Sequence, residues 1–84
     1  MNNWTIICVT FEGGHFYDAL ESDTPIDRTK DIQFPDGEIV KAGSYAIIMP
    51  NISEQEMVSF MDLPMAQQDE VMVSMFNYLV RRKP

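Results

Sequence analysis

The segment Trp4 to Phe11, WTIICVTF, is the strongest constraint in this chain. Its β-branched and aromatic residues favour an extended strand, and a strand sends successive side chains to opposite faces. Thr5, Ile7, Val9 and Phe11 therefore share one face, and Trp4, Ile6, Cys8 and Thr10 share the other. Both faces are largely apolar, so the segment belongs in the middle of a sheet with cover on each side.

The glycines that follow predict how the chain returns. A two-residue turn at Gly13-Gly14 sets Phe11 across from Phe16, Ile7 across from Leu20 and Cys8 across from Ala19, with His15 to Leu20 as the second strand. Phe16, Ala19 and Leu20 also fit one face of a short helix. Glu21 to Asp31 is polar and acidic, and Thr24-Pro25 marks a turn or a single helical turn capped by Thr24. Ile32 to Phe34 and Glu38 to Lys41 read as the arms of a second hairpin around Pro35-Asp36-Gly37, where proline presets φ and glycine accepts the left-handed position. Ala42-Gly43 marks a further turn, and Ser44 to Met49 a buried strand that Pro50 ends.

The last third is helical. Ser53 and Glu56 form a capping box, with Ile52 and Met57 as its hydrophobic staple, and the helix runs to about Asp62 with Met57, Val58, Phe60 and Met61 on one face. Leu63-Pro64 breaks it and starts a longer helix. In that helix Val71, Met72, Val73, Met75, Phe76, Tyr78, Leu79 and Val80 spread over about 220° of surface, where a helix docked on one side of a core needs an arc of only about 100° or somewhat more. Its early acids Asp69 and Glu70 and its closing Arg81, Arg82 and Lys83 suit the helix dipole. The predicted class is α+β: a small, mainly antiparallel sheet of four or five strands within residues 3–50, packed on one face by helices at about 53–62 and 64–82, in one compact domain over residues 1–84.

Charge narrows the function. The net charge is −7, and all 13 acids lie between Glu12 and Glu70, where only Arg28, Lys30 and Lys41 oppose them. That field disfavours direct contact with nucleic acid or an anionic membrane and favours basic surfaces. Cys8 is the single cysteine, so no internal disulfide forms, and the N-terminal segment lacks the basic start and long apolar run of a signal peptide or membrane span. A cytoplasmic location is expected.

Groups for catalysis are scarce. His15 is the only histidine, so a zinc site built from His and Cys cannot be assembled, and no cofactor or metal is expected. Cys8 and His15 stand on neighbouring strands, but a thiol in so apolar a strand is ordinarily inert. The serines fit no nucleophile elbow, Gly13-Gly14 opens no phosphate-binding loop, and Asp23, Asp27 and Asp31 lack the register and closing glutamate of a calcium loop.

These features predict a non-enzymatic protein-binding module. The type expected is a small acidic inhibitor or regulator, such as phages and mobile elements carry, that occupies a basic surface of a larger and plausibly nucleic-acid-handling partner. Its contact residues are expected to be Tyr17, Glu21, Asp23, Asp27, Asp31, Asp36 and Glu38, with Trp4, Tyr45 and Tyr78 as further aromatic anchors. One alternative is a homodimer joined through Met72, Met75, Tyr78 and Leu79 of the long helix. Another is a small-molecule binder with a pocket between sheet and helices. Met57, Met61, Met65, Met72 and Met75 suit either an irregular core or an adaptable interface.

Overall fold

The computed structural model describes residues 3–22, 24 and 26–81, with side chains of the last helix described as far as Met75. Five strands precede two helices: β1 (Asn3–Phe11), β2 (Gly14–Ser22), β3 (Ile32–Gln33), β4 (Ile39–Val40), β5 (Tyr45–Ile52), α1 (Glu54–Met61) and α2 (Met65–Arg81). The class is α+β, as expected, and β1 is the central strand. The main sheet, however, has three strands in the order β2-β1-β5, all antiparallel, and β3 and β4 form a separate two-stranded sheet.

That separation explains how β1 is covered on both sides. Ile7 and Val9 join Leu20, Ile32, Phe34, Val40 and Tyr45 in one buried cluster, so the small β3–β4 hairpin lies over the odd-numbered face of β1. Ile6 and Cys8 join Tyr17 and Phe60 in a second cluster, against which Met57, Met61, Val71 and Met72 of the helices pack. The expectation of one larger sheet with a single covered face is therefore corrected to three layers. Two-residue arms add little as sheet strands. Turned onto the open face, they bury Ile32, Phe34 and Val40 where the helices cannot reach.

Hairpin register also differs from the expectation. The connecting residues are Glu12 and Gly13, with Gly13 at φ 99°, and Phe11 stands opposite Gly14. Ile7 pairs with Asp18 and Cys8 with Tyr17, two residues from the predicted partners. A shift of two leaves each side chain on its predicted face. Phe16 still meets Phe11 diagonally, at a ring-centroid distance of 6.0 Å. The second hairpin forms as predicted around Pro35-Asp36-Gly37, with Gly37 at φ 95° and its N–H donating to Phe34 O.

Pro50 does not end the last strand. β5 continues to Ile52 through two register shifts, where it carries more residues than β1 opposite. The first shift puts the consecutive Ile48 and Met49 against the helix-side core. The second takes in Pro50 and Asn51, and Asn51 adopts φ 55°. Proline is tolerated because β5 is an edge strand and the bulge asks it for no ladder hydrogen bond.

The start of α1 matches the sequence closely: Glu56 N–H donates to Ser53 Oγ, and Ser53 N–H donates to Glu56 Oε1. Phe60 is its buried residue, whereas Val58, expected on the same inner face, is exposed. Gln68 of α2 is buried and donates from Nε2 to Phe60 O, a carbonyl at the end of α1 that also accepts from Leu63 N–H. At the start of the acidic loop Thr24 N–H donates to the Ser22 hydroxyl, and Pro25 of the expected Thr24-Pro25 turn lies outside the described residues.

Candidate functional site

Alternation along β2 sends His15 and Tyr17 to the helix side of the sheet, where their rings meet edge to face at 5.6 Å. Asp69 of α2 reaches across to both. Tyr17 Oη donates to Asp69 Oδ1 at 2.5 Å, and His15 Nε2 lies 2.8 Å from the same oxygen. Asp69 thus holds strand to helix and does not serve the start of α2, whose first turn contains no acid. Met72 Sδ stands 3.5 Å from the phenol oxygen, and Phe60 packs on the other side of the Tyr17 ring.

The electrostatics follow from these contacts. The Tyr17 hydrogen bond, then that from His15, holds the Asp69 carboxyl below the usual carboxylate range. An ionised carboxylate only accepts, so His15 Nε2 must be the donor and Nδ1 the free ring nitrogen. Burial, followed by the bond to Asp69, pushes the Tyr17 phenol well above its ordinary value. Cys8 is pushed up by burial and then by the charge of Asp69.

A histidine and a thiol, His15 and Cys8, line one open cavity of about 460 Å³, with Thr10, Tyr45, Ala46 and Met72 among its other walls, and the Asp69 carboxylate is bound to that histidine. Its groups are nevertheless committed. The thiol is 5% exposed and stays protonated at neutral pH, and the described hydrogen bonds include none from Cys8 to His15. Among the described residues no group of three His, Cys, Asp or Glu side chains is placed to hold a metal ion. The arrangement works as a polar clasp between β2 and α2.

The residues predicted to contact a partner divide into three groups. Tyr17 is 7% exposed and belongs to the core, so it leaves the set of surface residues. Asp27, Asp31 and Asp36 are exposed but fasten their own loops: Asp27 accepts from Thr29 N–H and Oγ1, Asp31 from Ala42 N–H, and Asp36 from Glu38 N–H. The two Thr29 bonds lower the Asp27 carboxyl. Glu21 and Glu38 are exposed on β2 and beside β4, and Asp23 lies outside the described residues. Of the aromatic anchors, Tyr45 is buried and donates to Asp27 O and Lys30 O, Trp4 is half-buried, and the Tyr78 side chain lies outside the described residues.

On the proposed dimer face, Met72 is drawn into the chain's own core and Met75 is half-buried. The Leu79 side chain lies outside the described residues, as does that of Tyr78. Met57 and Met61 also pack on the helix-side core, whereas Met65 is exposed.

Sequence reasoning missed a patch at the other face. Phe11 and Ile39 are 55% and 58% exposed and line one groove with Phe16, Glu38 and Lys41. The signal was available, because the tip of a hairpin and a two-residue strand leave their apolar residues little to pack against. No helix among the described residues is long and apolar enough to cross a membrane. No protein-family model, curated protein or solved structure matches the chain.

Proposed function

We propose that the chain is a non-enzymatic binding protein that occupies a basic surface of a larger partner protein. The observation that carries this reading is the unneutralised acidity of the surface. Among the described residues the only ion pair within 4.0 Å is His15–Asp69, while Glu21, Asp31, Asp36 and Glu38 face solvent with no Lys or Arg at salt-bridge distance. Charges left in this state speed encounter with a basic partner and are matched on contact. Phe11 and Ile39, large apolar side chains beside Glu38, supply the dry anchor that charge alone lacks. An inhibitor or regulator, of the kind that phages and mobile elements carry, acts in this way.

The test is affinity capture from host extract at low and at high salt, with an Asp36→Lys/Glu38→Lys variant in parallel. The expected result is a specific protein retained at low salt, lost at high salt and not retained by the variant. Capture indifferent to both salt and charge reversal would overturn the electrostatic reading.

A further inference from the structure

β2 is an outer strand of the three-stranded sheet, and among the described residues no backbone bonds to its free side. The ladder fixes which of its groups point outward. Thr10 N–H donates to Ser44 O at 2.8 Å, so the even residues of β1 bond toward β5 and the odd ones toward β2. The β2 partners of those odd residues are Gly14, Phe16, Asp18, Leu20 and Ser22. His15, Tyr17, Ala19 and Glu21 therefore direct their N–H and C=O groups away from the sheet. Ala19 agrees, since its N–H is taken by the Asp18 carboxylate at 2.8 Å.

The two edges of the sheet are not equivalent. β5 is broken by two register shifts and carries Pro50, devices that keep a strand from pairing further. β2 runs nine residues in unbroken register. Its surroundings have one sign of charge: residues 3–22 contain Glu12, Asp18 and Glu21 and neither lysine nor arginine. A second copy is a poor occupant, because it carries the same net −7 and would bring its own β2 acids to the edge. Beside the Glu21 end lies an open recess lined by Trp4, Leu20, Phe34 and Pro35, a seat for one aliphatic side chain.

We infer that β2 is the docking edge, and that its occupant is an extended segment of the partner protein bearing lysine or arginine, added as a fourth strand of the sheet. This inference rests on the basic-partner reading above and names its surface. On docking, Asp18 exchanges the Ala19 N–H for a cationic side chain, the partner's carbonyl takes over that N–H, and Glu21 meets a second cation from the other face of the strand.

The probe is a synthetic peptide as long as β2, built of lysine and valine in an order that puts lysine on both faces of an extended strand. Its controls are a glutamate-for-lysine version and a version N-methylated at alternate residues. With the lysine peptide, exchange of the outward amides of His15, Tyr17 and Glu21 is expected to slow by roughly tenfold or more, with little change at Phe16 or Leu20. N-methylation, and Ala19→Pro in the protein, are each expected to weaken binding by about tenfold or more. The N-methylated peptide leaves the protein untouched, so the test stands even if the proline variant misfolds.

Binding that protects other amides, such as those lining the Phe11–Ile39 groove, would overturn the edge while leaving the basic-partner reading intact. Protection by the glutamate peptide, protection that grows with protein concentration alone, or no protection by the lysine peptide would each overturn it too. Failure of salt-sensitive capture, by contrast, removes the parent reading.

Discussion

Asp69 Oδ1 lies 2.8 Å from His15 Nε2, joining α2 to β2 across 54 residues of sequence. The same oxygen takes the Tyr17 hydroxyl, so one carboxylate serves both the buried Tyr17 and the partly exposed His15. The contact orients α2 on the sheet as well as holding it, because two donors on one strand fix the carboxylate's approach. The lowered Asp69 carboxyl makes this contact acid-sensitive.

Tyr17→Phe keeps the ring against Phe60 and removes only the hydroxyl. It is expected to lower unfolding stability at neutral pH by about 1 kcal/mol, measured by urea denaturation. The sign with pH follows from the lowered Asp69 carboxyl. A group with a depressed folded value contributes stability above its unfolded value, near 3.8, and that contribution is lost as pH falls through the lower folded value. The difference between the parent protein and Tyr17→Phe should therefore be constant near neutrality and shrink on acidification below about pH 4. Asp69→Asn should flatten the same part of the curve. His15, Cys8 and Met72 lie around this contact together with Tyr17, and neither substitution replaces any of those three.

Cys8 should behave as core. Burial and the nearby Asp69 charge keep its thiol protonated, so a chromogenic disulfide reagent is expected to react slowly with the folded protein and at the rate of a free thiol once the chain is unfolded in urea. Asp69→Asn removes the charge but not the burial, and is expected to leave the reaction slow. Fast reaction in the native state would mean that the cavity beside His15 opens to solvent.

How much of this was legible beforehand varies with the range of the interaction. The two-faced pattern of β1, the Pro35-Asp36-Gly37 turn and the Ser53–Glu56 box all formed, because each is decided within a few residues. The placement of β3 and β4 over the sheet was not readable, since Ile32 and Val40 look alike whether they extend an edge or cover a face. The clasp was half visible: the spacing of His15 and Tyr17 gives a shared face, but nothing local points Asp69 at them. Asp69 instead resembled a helix-start acid, a role that requires the first turn.

Asn51 carries the bulge that lets β5 run on past Pro50. Its φ of 55° suits asparagine or glycine and penalises a β-branched side chain. Asn51→Gly is expected to change stability by no more than a few tenths of a kcal/mol, and Asn51→Val to cost about 1–2 kcal/mol. Thermal unfolding of the pair separates backbone strain from the loss of an amide, since both variants lose the amide and only valine adds strain.

Asp31 and Glu38 separate the two duties of the acidic surface. Asp31 accepts from Ala42 N–H and so holds the loop before β3 against the turn before β5, whereas the described contacts give the Glu38 carboxylate no such bond. Asp31→Ala is therefore expected to cost about 1 kcal/mol of stability by urea denaturation, and Glu38→Ala to leave it within roughly 0.5 kcal/mol. Both remove one negative charge, so both should slow association with a basic partner and reduce its salt dependence by a similar amount, read as on-rates across an ionic-strength series. Loss of on-rate in Asp31→Ala alone would assign the effect to loop order. Equal losses in the two variants would assign it to charge.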